Sequence, residues 1–330
     1  MAPASAKKFV LAKEFAGQVT ESNFKLVTYN LPALQDGEVE LQALYLTVDP
    51  YMRILPIKVG DLMIGEQVAK VVKSKDPKVP IGSIVQADAG WTSGSVVKGS
   101  DVTIVADYPD PKWPKSLALG TLGMPGKTAY LAFLGICKPK PGKGETVVVS
   151  GAAGAVGAVV GQIAKIMGCK VIGFAGSQEK LDYLKDLGYD ITLNYKTIKD
   201  LDKAIKEAAP NGVDCYFDNV GGELSSVVMN NMNVKGRICV CGSISSYNLA
   251  DQPKVPSFQL IAVLKQLTIQ GFFIYDHKDE YQDALGALIN WLNEGKIKYR
   301  EHVTQGFENT PKAFMGLFKG SNLGKAIIKV

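Results

Sequence analysis

A chain of 330 residues, 46% of them apolar and 21% charged, is long enough for two domains with sizeable cores sharing a cleft, and its composition excludes disordered, collagen-like and disulfide-scaffold classes. Thirty-seven basic against thirty-two acidic side chains leave a net charge of +5. With no arginine-rich arm, that charge implies no nucleic-acid partner and at most favours anionic small molecules, such as a phosphorylated cofactor or a fatty-acid carboxylate.

The N-terminal stretch Met1 to Phe15 scatters Lys7, Lys8 and Lys13 through it and lacks the apolar run of a secretory signal. No segment reaches the roughly 20 apolar residues of a membrane helix, so no membrane insertion is expected. Cys137, Cys169, Cys215, Cys239 and Cys241 are odd in number and form no Cys-x-x-Cys pair, which suits a reducing cytoplasm.

From Phe9 to Gly120, short β-rich runs such as Glu38 to Thr47, Gly65 to Val72 and Ser83 to Ala87 are punctuated by Gly, Pro and Asp, predicting a mostly antiparallel, barrel-like domain. From Glu145 the texture changes. Buried-type strands at Thr146 to Ser150, Val171 to Phe174, Ile191 to Asn194, Asp214 to Asp218, Ile238 to Cys241 and Ile269 to Ile274 alternate with helical stretches. That alternation predicts an α/β doubly wound, six-stranded parallel sheet. The apolar run Lys325 to Val330 has no reason to join a completed parallel sheet, so it is assigned back to the first domain. The expected division is 1–122 with 299–330, interrupted by 123–298.

The strand Thr146 to Ser150 runs directly into Gly151-Ala-Ala-Gly154-Ala155-Val156-Gly157, and Ala158 to Met167 follows as a small-residue helix. Ala152 replaces the first glycine of Gly-x-Gly-x-x-Gly, whereas Gly154 and Gly157 keep their places, letting backbone approach a pyrophosphate at the helix N-terminus. With nothing bound, the same residues would make a tight strand-to-helix turn; the flanking strand-helix units favour a dinucleotide. NAD enzymes place an acidic residue about 20 positions on, where this chain has Ala175 and Gly176. Ser177 and Lys180 follow and point to the 2′-phosphate of NADPH. The plain alternatives are an N-cap for Ser177 and a solvated charge for Lys180, while Glu179 keeps NAD open.

Only His277 and His302 are present, neither with a Cys or carboxylate at metal-ligand spacing, so no metal site is expected. His277 reads as a loop residue after the sixth strand and His302 as a surface strand residue. There is no Gly-x-Ser-x-Gly elbow. Tyr195 and Lys199 mimic the Tyr-x-x-x-Lys pair of short-chain dehydrogenases but fall just after the third strand, so Tyr195 is placed near the adenosine end of the cofactor. Cys239 and Cys241 are expected on one face of the fifth strand as small buried residues.

Val48-Asp-Pro-Tyr-Met-Arg53, Gly123-Met-Pro-Gly-Lys-Thr-Ala-Tyr130, Gly151 to Gly157, Tyr216-Phe-Asp-Asn-Val-Gly-Gly222, Cys241-Gly-Ser-Ile-Ser-Ser-Tyr-Asn248 and Asn322-Leu-Gly-Lys325 together resemble the medium-chain dehydrogenase/reductase superfamily, in particular its zinc-independent alkenal/one reductases of the prostaglandin reductase or leukotriene B4 12-hydroxydehydrogenase type. The resemblance runs nearly end to end. It implies a discontinuous GroES-like, mostly-β substrate domain around an inserted Rossmann domain. Where zinc members carry Gly-His-Glu, this chain reads Ile64-Gly65-Glu66, and the structural zinc lobe is missing. Lys127 departs from the apolar residue usual in relatives.

By resemblance, Gly154, Ala155, Val156, Gly157, Lys180, Tyr195, Asn219, Cys241, Gly242, Ser243, Ile244, Phe272, Phe273, Ile274, Tyr275 and Asn322 contact NADPH. Tyr247 matches the tyrosine that meets the substrate carbonyl. Asn219 and Cys241 also follow the fourth and fifth strands, where ligands of open sheets bind. The implied reaction is hydride addition to the β-carbon of an enone or enal, Tyr247 and the cofactor's ribose hydroxyl supporting the oxyanion; otherwise Tyr247 only packs on the cofactor. Tyr51 is assigned to the substrate wall, and Arg53 to either an ion pair or a carboxylate clamp. A leukotriene 12-hydroxy dehydrogenase, a quinone reductase and a non-catalytic cofactor-binding structural protein remain as alternatives, and a homodimer is implied through sheet edges.

Overall fold

The computed structural model describes residues 5–105, 107–251 and 254–330. β1 (Ser5–Leu11) and β2 (Phe24–Asn30) pair antiparallel, and the inward residues of β1, Phe9 and Leu11, are buried. β3 (Glu38–Thr47), β4 (Gln67–Ser74), β5 (Ile84–Ala87), β6 (Gly94–Lys98) and β7 (Val102–Ile104) follow.

Next come α1 (Met124–Ala132), β8 (Thr146–Val149), α2 (Gly157–Ile166), β9 (Lys170–Ala175), α3 (Gln178–Asp186), β10 (Ile191–Asn194), α4 (Leu201–Ala208), β11 (Val213–Asp218), α5 (Gly222–Asn230), β12 (Met232–Val240), α6 (Gln259–Lys265), β13 (Thr268–Gly271) and α7 (Tyr281–Asn293). The chain closes with β14 (Glu301–Gln305), α8 (Thr310–Phe318) and β15 (Lys325–Lys329).

Two compact units result, Met1–Gly120 with Glu301–Val330, and Thr121–Arg300. Thr121, Leu122, Tyr299 and Arg300 therefore belong to the second unit rather than the first. In the first, the strands run β14-β15-β3-β4-β5-β7, with β6 on β3. β15 pairs antiparallel with β3, so the C-terminal run does return to this unit, but β14 and β15 are parallel. Phe9, Phe24, Trp91, Phe307 and Phe314 form its aromatic core, with Trp91 edge-on to Phe9 and stacked on Phe24.

In the second unit all strand pairs are parallel, in the order β10-β9-β8-β11-β12-β13. β8 is buried along its whole length, as a strand covered on both faces must be. The order reverses between β8 and β11, and an open sheet of this kind offers its ligand crevice beyond the carboxyl ends at that point.

Candidate active site

The loop after β8 is shaped by missing side chains. Gly151 adopts φ +58°, and Gly154 N–H donates to its carbonyl at 3.0 Å. A Cβ on Gly157 would lie 2.6 Å from the Gly151 oxygen and 2.8 Å from Ala152 Cα, so only glycine lets α2 start this close to the strand. Ala152 N–H ties the loop to β9 through the Phe174 carbonyl at 3.1 Å. The N–H groups of Ala155 and Val156 meet no backbone acceptor among the described residues. They stand at the positive end of α2, where a pyrophosphate oxygen would satisfy them.

The next loop gathers cations. Ser177 occupies the N-cap of α3 without a side-chain capping bond, leaving its hydroxyl for other use. Burial lowers the Lys180 pKa, and the Lys196 charge lowers it further, against Glu179. Two ammonium groups that disfavour each other's charge are relieved by a doubly charged anion between them. A Cβ on Gly176 would come 2.8 Å from Tyr195 Oη and 3.0 Å from Lys196 Cε, so Gly176, Tyr195 and Lys196 share one small space. Glu179, the residue that kept NAD open, faces Arg300 at 3.9 Å. Lys196 was not anticipated. Its signal was a second lysine directly after Tyr195 at the end of β10.

At the switch point, Asn219 Nδ2 donates to the Ser150 carbonyl at 2.7 Å, and its Cβ lies beside Gly151. The organising residue is one the motif contained but no role was assigned to, Asp218. It is 2% exposed. Its Oδ1 accepts from Ser150 Oγ, Tyr216 Oη and the N–H groups of Val220 and Gly221 at 2.8–3.0 Å, and Oδ2 accepts from Ser225 Oγ at 2.7 Å. Its carbonyl receives Cys241 and Gly242 N–H at 2.8 and 3.1 Å, while Ile244 N–H reaches the Asn219 carbonyl at 3.2 Å. The loops after β8, β11 and β12 are thereby joined at one residue, the first two through the Asp218 carboxylate and the third through its main-chain carbonyl.

Within the third loop, Ser243 N–H donates to Tyr247 Oη at 3.0 Å. That bond uses a lone pair and leaves the phenolic proton for an outside acceptor. Burial raises the Tyr247 pKa above its ordinary value of 10.0 despite the opposing Ser243 N–H, so the phenol is a hydrogen-bond donor at neutral pH. Cys239 is buried in β12, but Cys241 stands past the end of that strand, correcting its expected place as a buried strand residue. Burial and the Asp218 charge push its thiol up to about 12.

Beyond β13, Phe272 stacks on His277 at 4.6 Å and Phe273 is exposed, edge-on to Tyr275. Ile274 differs from expectation, because its side chain is buried with Leu131 and Ala284 and leaves only main chain for a ligand. His277 has non-helical backbone (φ −119°, ψ 28°) at a kink between two short helical turns after β13, and its Nδ1 shares a hydrogen bond with Glu280 at 2.7 Å. Lys127 stands 4.7 Å over the Tyr281 ring.

In the first unit, Tyr51 sits on the 3₁₀ turn Pro50–Arg53, half-buried against the aromatic core. Arg53 forms no ion pair among the described residues: its guanidinium lies 5.1 Å over the Phe15 ring, reaching the Phe15 and Gly17 carbonyls at 3.4 Å. Asn322 turns its amide to the Gly324 carbonyl at 2.8 Å, and His302 is exposed on β14.

A profile described as "Zinc-binding dehydrogenase" matches residues 155–290, and one described as "N-terminal domain of oxidoreductase" matches residues 7–105. Bovine prostaglandin reductase 1 is 56% identical, over 98% of this chain and 99% of that one. The chain belongs to the prostaglandin reductase family. A tobacco relative of the family, "2-alkenal reductase (NADP(+)-dependent)", is 40% identical over 99% of this chain and 98% of its own. The crystal structure of CurA in complex with NADPH from Vibrio vulnificus superimposes with a TM-score of 0.92 at 38% identity, covering 98% of this chain and 99% of that one. Like the family's other members this is a zinc-independent medium-chain reductase, and its residues do not fit the metal that the first profile's description names. No group of three or more His, Cys, Asp or Glu among the described residues could hold one. Gly65 itself brings no ligand atom to Met52 and Trp91, the side chains that face it.

Proposed function

We propose that this chain uses NADPH to reduce the C=C bond of α,β-unsaturated ketones and aldehydes. The observation that carries the reading is the joined pair of loops in the second unit: backbone donors at Ala155 and Val156 for a pyrophosphate, and a phenol at Tyr247 with its proton uncommitted. The names of the relatives, which include a prostaglandin reductase and a 2-alkenal reductase, support the substrate class.

The residues fit the cofactor. The start of α2 would hold the pyrophosphate, and Lys180 and Lys196, with the Ser177 and Tyr195 hydroxyls, would hold the 2′-phosphate through hydrogen bonds to its charged oxygens. Bound there, NADPH supplies the hydride that adds to the β-carbon. Tyr247 donates its hydroxyl proton in a hydrogen bond to the carbonyl oxygen, which becomes an enolate oxygen as the hydride arrives; losing one such donor costs about 3 to 4 kcal/mol. The Ser243 N–H bond keeps Tyr247 aimed, and the α-carbon takes its proton from water or through Tyr247.

The same reading includes a homodimer and a cytoplasmic location. In support of the first, β13 is an edge of the parallel sheet, and α6 beside it exposes Leu260, Val263 and Leu264, each more than 60% accessible. In support of the second, all five cysteines are free, and no described helix is long and apolar enough to cross a membrane.

The test is NADPH and NADH consumption against enones, enals and simple quinones, with the product identified. Saturated ketones or aldehydes formed faster with NADPH are expected. Turnover of quinones alone, or NADPH binding without turnover, overturns the reading.

A further inference from the structure

The carboxylate that closes β11 is buried without a cation. Its partners, the Ser150, Tyr216 and Ser225 hydroxyls and the Val220 and Gly221 N–H groups, are all neutral. A buried charge met by fixed dipoles is held by their directions, and taking it away strips each of those enclosed donors of its acceptor. Two of the donors are backbone, so the carboxylate sets the course of the turn 218–221 that leads into α5.

The other side of that turn carries the loop of Tyr247. Cys241 and Gly242 N–H reach the Asp218 carbonyl and Ile244 N–H the Asn219 carbonyl, while the Val220 carbonyl receives Ser245 N–H at 3.1 Å and Ser245 Oγ at 2.6 Å. Gly221 has φ +71°, and a Cβ there would stand 2.6 Å from Ser243 Oγ, so Ser243 seats on bare backbone whose own N–H is bound to Asp218. Ser243 N–H in turn holds the Tyr247 hydroxyl. A continuous series of hydrogen bonds and one close backbone approach therefore leads from the carboxylate to the phenol.

The phosphate loop is anchored differently. Ala152 N–H is bound to the Phe174 carbonyl of β9 and Ser150 N–H to the Phe217 carbonyl at 3.1 Å, neither of which involves the Asp218 side chain. Loss of the carboxylate takes one hydroxyl partner from that loop, at Ser150, and leaves these backbone bonds in place.

We propose that Asp218 is a positioning residue for the Tyr247 hydroxyl: its carboxylate fixes the 218–221 turn, and the turn carries the loop that presents the phenol. The catalytic consequence rests on the proposed function, while the mechanical part rests on geometry alone.

The test uses the full-length protein with NADPH and benzylideneacetone. Asp218→Ala is expected to lower kcat about thirtyfold, and Asp218→Asn, which keeps one oxygen of the carboxylate, about threefold. In a Tyr247→Phe background either change lowers kcat by less than a further factor of about two, because the group being positioned is already gone. The dissociation constant for NADPH, read by nicotinamide fluorescence, changes less than about threefold in both single variants. In Asp218→Asn the Ile244 and Ser245 amides exchange hydrogen about tenfold faster, while the Ala152 amide exchanges as in the parent.

A residue that merely stabilised the unit would lower kcat equally in both backgrounds, and that result overturns the proposal. Unchanged exchange at Ile244 and Ser245, or a loss of NADPH affinity as large as the loss of kcat, overturns it as well. Should Asp218→Ala not fold, the same comparison with and without Tyr247→Phe is read on Asp218→Asn and decides in the same way. A parent protein that reduces no enone, or a Tyr247→Phe variant with undiminished kcat, retires the functional reading alone, and the exchange measurement still decides the positioning.

Discussion

At the carboxyl end of β8 the chain enters α2 through Gly151 and Gly157, and the fit is set by atoms that are missing, since a Cβ on Gly157 would overlap the Gly151 carbonyl. At the carboxyl end of β3 it enters the Pro50–Arg53 turn through Asp49, and the fit is set by atoms that are present, the Lys325 ammonium and the Thr47 hydroxyl. The first arrangement depends on a side chain that is missing and the second on side chains that are present. The first frees backbone N–H groups for a ligand; the second hides charged groups from solvent and uses them to hold the end of β3.

The largest effect is therefore expected from adding atoms to the first. Gly157→Val should lower kcat/KM with NADPH by about a hundredfold or more through displacement of α2 and reduce stability by about 1 to 3 kcal/mol in a denaturant titration. Parent-like NADPH affinity in this variant would break the contrast, because the loop could then accommodate a side chain.

Tyr247 combines both devices. Gly242 leaves room for its hydroxyl, with a Cβ there only 3.0 Å from Oη, and Ser243 N–H holds it. Tyr247→Phe should cut kcat for an enone about a hundredfold with NADPH binding intact. An undiminished kcat would show that the phenol only packs. The pH profile supplies a second check. Burial raises the pKa of this group, so its proton is retained through neutral pH and lost only as pH rises past the ordinary value of 10.0. An alkaline limb of kcat well below pH 10 that disappears in Tyr247→Phe would contradict the raised pKa.

Removing a present charge from the cation cluster should have a moderate and selective effect. Lys180→Ala is expected to raise KM for NADPH about tenfold or more and hardly alter that for NADH, as loss of a charge-assisted bond worth about 1.5 to 3 kcal/mol predicts. Equal changes for the two cofactors would remove the 2′-phosphate from this cluster. The smallest effect belongs to Lys127→Met. Its ammonium lies 4.7 Å over the Tyr281 ring, and a contact of that kind contributes about 0.5 to 1 kcal/mol to stability. A much larger loss would mean that Lys127 has a further task.

Much of the cofactor-binding half was legible because its signals are local. The glycines of the β8 loop, the alternation of apolar strands with helices, and the lone apolar run at Lys325 to Val330 each state a backbone requirement within a few residues of themselves. The roles of Lys196, Asp218 and Lys325 were not. Lys196 matters because Gly176 admits it beside Lys180, and that proximity joins two strands' ends. Asp218 was visible as a carboxylate closing the apolar strand Val213–Asp218, which is a signal in itself, but its partners Ser150 and Ser225 lie in different elements. Ile274 shows the reverse, since a residue inside a segment expected to contact a ligand turns its side chain into the core and keeps its main chain for that contact.

By itself the sequence determined the units, the parallel sheet, the phosphate loop and the absence of a histidine where a zinc ligand would stand, because periodicity and glycine conformations act over one turn or one strand. Tertiary structure alone decided which buried charges meet, which hydroxyl keeps a proton to give, and which turn is held by a strand hundreds of residues away. Those outcomes depend on chain segments brought into register by packing, and the pairing of Ile327 with Thr47 is written in neither segment separately.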